Sequence, residues 1–265
     1  IGIGDERLTV RAIKMTIDGA LGSHGAWLLE PYTDLPESSG LNTSDLENVA
    51  ATAELAIAHE YQFAVHAIGD RGNRETLDMF QWAFENNPDK SDLRWRVEHA
   101  QHLDPEDIPR FGNLQVIASM QGVHATSDGP WITDRLGPER VEWGAYVWQD
   151  LMEAGAIIAN GTDAPVEDVD PIASYYSTVS RRMNNGQVLN AEQRMNRMEA
   201  LKSYTINNAF AGFQEDIKGS LTVGKLGDIT VLDQDILIVD EEDIPNTKIV
   251  YTIIGGEVMY SREMH

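Results

Sequence analysis

Residues 63–67 read Phe-Ala-Val-His-Ala, a short and almost wholly apolar run that contains a single histidine. A run of this length is typical of a strand buried on both faces, as in a parallel sheet. Further strand-like segments lie at residues 8–17, 95–98, 115–120 and 156–160. Helical patterns separate the five segments, so the sequence predicts an α/β fold with a parallel sheet.

The helical patterns cover residues 49–61, 75–85, 105–111, 140–153, 171–183 and 197–208. The first follows Ser44-Asp45-Leu46-Glu47, which has the form of a capping box beginning at Ser44. A long polar loop is predicted between the fourth strand and residue 140. Either a doubly wound sheet or part of a (β/α)8 barrel fits this order of elements, and the pattern alone does not choose between them.

The character of the chain changes at Gly219. A turn cluster at residues 224–228 leads into strand-like segments at 229–232, 249–254 and 257–260. Gly255-Gly256 separates the last two, which predicts a β-hairpin. A sheet this small does not bury a core alone and must pack on other parts of the protein. We therefore predict two parts, residues 1–218 and residues 219–265.

Composition limits the classes of partner and of metal site. The 43 acidic and 20 basic residues give a formal net charge of −23, which repels a phosphate backbone and argues against nucleic-acid binding. No apolar run approaches membrane-spanning length, so no membrane partner is expected. The chain has no cysteine, so a metal would be held by His, Asp, Glu or a modified Lys. A cysteine-free chain suits the cytoplasm, which we favour, and the periplasm equally well.

Polar side chains stand at the ends of four predicted strands. Each of these strands is an apolar run whose packing does not require a polar side chain. The four polar residues are Lys14, His66, His99 and Asp163. Functional groups of parallel α/β folds gather where the carboxyl ends of the strands meet. Two imidazoles, a carboxylate and a lysine carrying a carboxyl group are suitable ligands for a divalent metal.

Each residue taken singly also has a structural interpretation. A histidine at a strand end is often only hydrogen-bonded, a lone lysine often lies at a surface, and Asp163 in Gly-Thr-Asp-Ala-Pro fits a turn. The joint pattern favours the functional interpretation. Spacing alone still indicates no more than a possible metal site.

Several collinear motifs resemble amidohydrolase family 3 of the amidohydrolase superfamily, which includes N-substituted formamide deformylase. The resemblance extends over essentially the whole chain. Its motifs are residues 14–31 (Lys-Met-Thr-Ile-Asp-Gly-Ala-Leu-Gly-Ser-His-Gly-Ala-Trp-Leu-Leu-Glu-Pro), 66–71 (His-Ala-Ile-Gly-Asp-Arg), 98–101 (Glu-His-Ala-Gln), 127–131 (Ser-Asp-Gly-Pro-Trp), 135–137 (Arg-Leu-Gly), 161–166 (Gly-Thr-Asp-Ala-Pro-Val) and 224–228 (Gly-Lys-Leu-Gly-Asp).

The resemblance implies strands four to eight of a (β/α)8 barrel, with a small β-sandwich built from both ends of a full chain. It makes Lys14 a carboxylated lysine, His66 and His99 metal ligands, and Asp163 both a ligand and the general base. His124, which the resemblance places at the end of strand seven, is a candidate for contacting the substrate or its developing oxyanion, with a packing role as the alternative. The implied cofactor is a divalent metal, most often zinc, with one or two ions in an intact enzyme. The implied reaction is hydrolysis of a non-peptide C–N bond in a small amide or N-acyl compound.

The sequence departs from the family pattern in its first metal ligands. The family begins its barrel with a His-x-His pair, and this sequence contains none. We therefore expect a C-terminal half, weak or inactive alone, whose open side is covered by another copy or by the missing N-terminal half. His24 stands where the family usually has Arg, and Gly122 where it usually has Pro. We expect Gly122 to alter only a loop, and His59 and His102 to be surface residues.

Two other classes of function remain open. One is a lyase or metal-free isomerase on a similar barrel, which metal binding through Lys14, His66 and His99 would argue against. The other is a non-catalytic interaction protein that kept the fold without the first ligand pair. A serine hydrolase is disfavoured because the sequence has no Gly-x-Ser-x-Gly.

Overall fold

A computed structural model describes residues 3–262 of the chain. The chain forms two compact units, the first made of Ile1–Met120 and Asp128–Ile158, the second of Gln121–Ser127 and Ala159–His265. None of the described helices is both long enough and apolar enough to span a membrane.

The first unit contains a parallel sheet, and its strands follow the order of the chain. The strands are β1 (Ala12–Thr16), β2 (Gln62–Ala67), β3 (Arg96–His99) and β4 (Ile117–Gln121). Pairing is parallel from β1 through β4, and β5 (Ile158–Gly161) comes next in the order of the sheet. A doubly wound sheet reverses its strand order, whereas these strands do not. The predicted parallel α/β fold is confirmed, and the order is consistent with part of a (β/α)8 barrel.

One short helix precedes the first strand, and the other helices lie between the strands at most of the predicted places. They are α1 (Ile3–Glu6), α2 (Leu46–Ala58), α3 (Asp70–Glu85), α4 (Ile108–Asn113), α5 (Gly122–Leu136), α6 (Pro138–Gly144) and α7 (Trp148–Glu153). The predicted helix at residues 140–153 is in fact two helices, α6 and α7. The predicted long polar loop is wrong, because α5 occupies most of it. Its polar residues and internal Pro130 hide the helical pattern.

The start of α2 differs from the predicted capping box by one residue. Asp45, not Ser44, is the N-cap, and its side chain accepts a hydrogen bond from Glu47 N. The Ser44 hydroxyl instead donates to the carbonyl of Thr16 at the end of β1. Asp and Ser are equally good N-caps, so the sequence did not decide between these neighbours.

An aromatic cluster joins β2, α3 and the residue before β3. Phe63, Phe80 and Trp95 are fully buried. The Trp95 ring lies 5.0 Å from Phe80 and 5.5 Å from Phe63 between centroids, in edge-to-face geometry that aromatic pairs favour. Apolar burial and ring contacts of this kind hold a helix against its neighbouring strand.

A buried contact between an aspartate and a histidine lies at the first turn of α3. His102 Nε2 lies 3.4 Å from Asp70 Oδ2, with 0% and 2% of the two side chains exposed. Asp70 also accepts hydrogen bonds from Leu29 N and Arg71 N. The expectation that His102 is a surface residue is therefore wrong, since its partner lies 32 residues earlier in the chain and is brought close only by the fold. His59, at the end of α2, is exposed as expected.

The second unit contains helices and an antiparallel sheet. Its elements are α8 (Pro171–Ser180), a 3₁₀ helix (Ala191–Gln193), α9 (Arg197–Tyr204), α10 (Ile206–Ala211), β6 (Ile229–Leu232), a second 3₁₀ helix (Glu241–Asn246), β7 (Ile249–Ile254) and β8 (Glu257–Ser261). Strands β7 and β8 pair antiparallel around Gly255 and Gly256, which confirms the predicted hairpin. β6 pairs antiparallel with β7. The division at residue 218 stays a prediction.

The aromatic cluster predicts a large loss of stability on truncation of its central ring. We expect Phe80→Ala to lower the free energy of unfolding by about 3–5 kcal/mol, because a fully buried ring is replaced by a cavity. Trp82→Ala, on the exposed side of the same helix, should cost under about 1 kcal/mol. Urea unfolding followed by circular dichroism measures both values, and equal losses would contradict the assigned core.

The buried contact between Asp70 and His102 predicts a dependence of stability on pH. Burial acts to raise the pKa of Asp70, but the hydrogen bond and charge of His102, with the N–H groups of Leu29 and Arg71, hold that pKa below its usual range. A lowered pKa in the folded state gives stability that is present above the unfolded pKa and lost as the pH falls through both values. Asp70→Asn should therefore flatten the fall of unfolding free energy between about pH 5 and pH 3. Asp89→Asn, at an exposed position, should leave that slope as in wild type.

Candidate metal centre

Two histidines meet at the carboxyl ends of neighbouring strands in the first unit. The rings of His66 on β2 and His99 on β3 lie 4.5 Å apart between centroids. Burial, followed by the positive charges of His99 and Lys14, lowers the pKa of His66 to about 3. The His66 imidazole is therefore neutral near pH 7, and neutral imidazole is the form that binds a metal.

His99 reaches His66 through an unusual backbone conformation. In the register of the sheet His66 stands opposite Glu98, so the alternation of a strand would direct His99 to the opposite face. His99 instead has φ of +82°, and Ala100 has φ of +44°. Left-handed values are costly for residues other than glycine and cluster at functional sites.

Charged side chains occupy the sheet beside the histidine pair. Lys14 lies on β1, and its charge acts on both His66 and Glu98. Burial acts to raise the pKa of Glu98. The charge of Arg96, hydrogen bonds with Ser119 and Arg96, and the charge of Lys14 together hold that pKa below its usual range. Arg96 Nε donates to Glu98 Oε1 at 2.5 Å. Lys14 is exposed, and its carboxylation stays a prediction.

A buried carboxylate that sequence reasoning missed lies against His66. Asp18, two residues after β1, is fully buried, and its Oδ1 lies 3.5 Å from His66 Nε2. Burial raises the pKa of Asp18 to about 7, although the N–H groups of Gly69, Trp27 and Ile68 each act to lower it. An acidic residue directly after a β-branched strand was the available signal, but it stood inside a glycine-rich motif that resembled a loop.

The second unit contains a histidine and an aspartate that face each other. His124 Nε2 lies 3.9 Å from Asp163 Oδ2, with 8% and 32% of the side chains exposed. Asp163 follows β5 as predicted and has φ of +58°. His124 was predicted at the end of a strand, but β4 ends at Gln121 and His124 belongs to the first turn of α5.

Amide and hydroxyl side chains hold the segments that carry His124 and Asp163. Asn160 Oδ1 accepts from Gly122 N at 2.9 Å and from Gly161 N at 3.1 Å. Ser174 Oγ accepts from Val123 N and donates to the carbonyl of Gly161. The start of α5 and the end of β5 are thus tied to the same two side chains, which sequence reasoning did not identify.

Gly122 has a more specific role than the expected change of a loop. It is the first residue of α5, and a Cβ added there would lie 2.0 Å from Thr178 Oγ1 and 2.6 Å from the carbonyl oxygen of Ser174. Because Gly122 N also donates to Asn160, a proline would lose that hydrogen bond as well. The expectation for Gly122 is therefore corrected: this glycine permits close packing on α8.

The donors present suit a divalent metal. His66, His99 and His124 offer imidazole nitrogens, Asp163 offers a carboxylate, and the pKa of His66 keeps that ring neutral. Imidazole and carboxylate together suit zinc and several other first-row divalent metals. Within the described residues, the histidine pair lies in one unit and the pair of His124 with Asp163 in the other.

Curated relatives are similar over nearly the whole chain. Protein LONG AFTER FAR-RED 3 from Arabidopsis thaliana is 35% identical over 96% of this chain and 44% of its own length. Putative amidohydrolase YtcJ from Bacillus subtilis is 35% identical over 95% of this chain and 47% of its own. N-substituted formamide deformylase from Arthrobacter pascens is 23% identical over 75% and 36%. The chain spans less than half the length of these relatives.

Solved structures are also similar to this chain over most of its length. An uncharacterized metal-dependent hydrolase from Pyrococcus horikoshii superposes with a TM-score of 0.78 at 34% identity, over 89% of this chain and 47% of that one. A metal-dependent hydrolase from Pyrococcus furiosus gives 0.74 at 34% identity, over 85% and 45%. These similarities, together with the histidine and aspartate donors, support the binding of a divalent metal.

The model of a single protein family accounts for the motifs quoted above. The model, described as "Amidohydrolase family", matches residues 2–260, which is nearly the complete sequence. The curated relatives and the order of the parallel strands agree with this match. The chain belongs to amidohydrolase family 3.

Proposed function

We propose that this chain is the part of a metal-dependent hydrolase that contributes Lys14, His66, His99 and Asp163 to a divalent metal centre. The observation that carries the proposal is the neutral, partly buried His66 imidazole beside His99 at the carboxyl ends of two parallel strands. Zinc is the metal we propose, since imidazole and carboxylate oxygen are its usual ligands in a cysteine-free site. Carboxylation would turn Lys14 into an anionic oxygen ligand.

The reaction we propose is hydrolysis of a non-peptide C–N bond in a small amide or N-acyl compound. The name of the Arthrobacter relative, N-substituted formamide deformylase, supports this substrate class. A bound divalent ion supplies Lewis acidity and lowers the pKa of water toward neutrality. Asp163 accepts the proton of the attacking water, and His124, 3.9 Å from it, donates a hydrogen bond to the oxyanion that develops on the substrate.

The strands belong, in this proposal, to positions four to eight of a (β/α)8 barrel, and the β6–β8 sheet to a small composite β-sandwich. We further propose that a second copy or an N-terminal half covers the open side of the barrel. The net charge of −23 supports a small-molecule substrate over nucleic acid. A non-catalytic interaction protein that kept the fold without the first ligand pair is the alternative.

The metal proposal predicts the metal content of the purified chain. After incubation with zinc and removal of the excess, we expect about one ion per chain, and the variant with both His66→Ala and His99→Ala should retain almost none. His59→Ala, at an exposed position, should bind as wild type. Elemental analysis gives the ratio of metal to protein. Retention of zinc by the double variant would disprove the ligand assignment, and absence from wild type would mean that this chain alone does not form the centre, which then requires the missing N-terminal half.

The assignment of Asp163 predicts the effect of removing the proton acceptor. We expect slow, chelator-sensitive hydrolysis of N-acyl amines by the zinc-loaded chain, and a fall of at least about 10²-fold in kcat for Asp163→Asn. Asp168→Asn lies in the same loop at an exposed position and should keep the wild-type rate. The rate of free amine formation is the measurement. Equal rates for the two variants would exclude Asp163 as the general base.

A further inference from the structure

Asp18 is a buried carboxylate that the proposed reaction does not use. It is fully buried, and both of its oxygens are held by main-chain donors. Oδ1 accepts from Ile68 N at 3.0 Å, and Oδ2 accepts from Trp27 N at 3.0 Å and from Gly69 N at 2.8 Å. Three donors on two segments of the chain fix the plane of the carboxylate, so it does not rotate freely.

The same carboxylate faces a proposed metal ligand. Among the described residues His66 Nε2 is buried without a hydrogen-bond partner, and it lies 3.5 Å from Asp18 Oδ1, which has capacity for another donor beside Ile68 N. The space around Asp18 is closed, because a Cβ added at Gly72 would lie 2.7 Å from Asp18 Oδ2. The acceptor and the ring nitrogen are therefore held in place by separate parts of the structure.

A fixed acceptor beside one ring nitrogen decides where a neutral imidazole carries its proton. A small approach of the two atoms would let Asp18 Oδ1 accept from His66 Nε2, which would place the proton on Nε2 and leave the lone pair on Nδ1. We infer that Asp18 is a positioning residue that fixes His66 as the Nε2–H tautomer and presents Nδ1 as the metal donor. This inference rests on the proposed metal centre. Carboxylates that hold a ligand histidine in this way typically contribute 10–100-fold to metal affinity.

Asp70 provides a matched comparison within the same unit. It is also a buried carboxylate that accepts from two main-chain N–H groups and contacts a histidine, His102. His102 is not among the proposed ligands. A purely structural role for Asp18 thus predicts that Asp18→Asn and Asp70→Asn alter stability alike and leave metal affinity unchanged.

The first test is the tautomer of His66 in the metal-free chain. The chain is labelled with ¹⁵N-histidine, and two-bond ¹H–¹⁵N correlation spectra are recorded at about pH 8, where an ordinary imidazole is neutral. His66→Gln assigns the signals. We expect a protonated Nε2 and an unprotonated Nδ1 in wild type and in Asp70→Asn, and loss of this single tautomer in Asp18→Asn. A protonated Nδ1 in wild type would overturn the inference even if Asp18→Asn failed to fold.

The second test is zinc affinity, measured by competition with a chromophoric chelator. We expect Asp18→Asn to bind zinc about 10–100-fold more weakly than wild type, and Asp70→Asn to bind within about 3-fold of it. Folded Asp18→Asn with wild-type affinity would overturn the inference. If wild type showed the Nε2–H tautomer but bound no zinc, the proposed metal centre would fail while the positioning of His66 by Asp18 stood.

Discussion

The parallel register of the first four strands is the constraint on which the arrangement of polar groups in the first unit depends. Thr16 stands opposite His66, His66 opposite Glu98, and Glu98 opposite Ser119. Neighbouring strands lie about 4.8 Å apart, so polar groups distant in sequence become direct neighbours across the sheet. A slip of one residue in any strand would turn its polar residue to the other face. The apolar residues between them, such as the fully buried Val65, hold the register.

Buried carboxylates extend this order from the strands to the loops. A loop that is buried must satisfy its main-chain N–H groups, and an ionised carboxylate accepts several of them. Asp18 accepts hydrogen bonds from the N–H groups of Trp27, Ile68 and Gly69, while Asp70 accepts one from the N–H group of Leu29. The segment after β1 and the segment after β2 are thereby joined. In the second unit the side chain of Asn160 does the same for the segments around Gly122 and Gly161.

Sequence reasoning succeeded where the signal is local and failed where it depends on distant partners. The strand around His66 was predictable because its apolar residues stand in one run, and the hairpin because Gly255-Gly256 separates two strand-like segments. Helix α5 was missed because its polar residues and Pro130 resemble a loop. The burial of His102 depends on Asp70, 32 residues away, so no local pattern indicates it. The sequence identified the candidate ligands by type, but not the groups that hold them.

Backbone strain shows where the fold opposes local preference. His99 and Asp163 have φ of +82° and +58°, and such values cost of order 1–3 kcal/mol each in residues other than glycine. The surrounding structure must supply that energy. Around Asp163 the hydrogen bonds of Asn160 and Ser174 fix the preceding strand end, and around His99 the parallel pairing with β2 does so. Strain of this kind persists only where neighbouring contacts determine the conformation. Positive φ also occurs at eleven other described non-glycine residues, so at His99 and Asp163 the strain records how firmly the neighbouring contacts fix these two side chains and does not mark a function by itself.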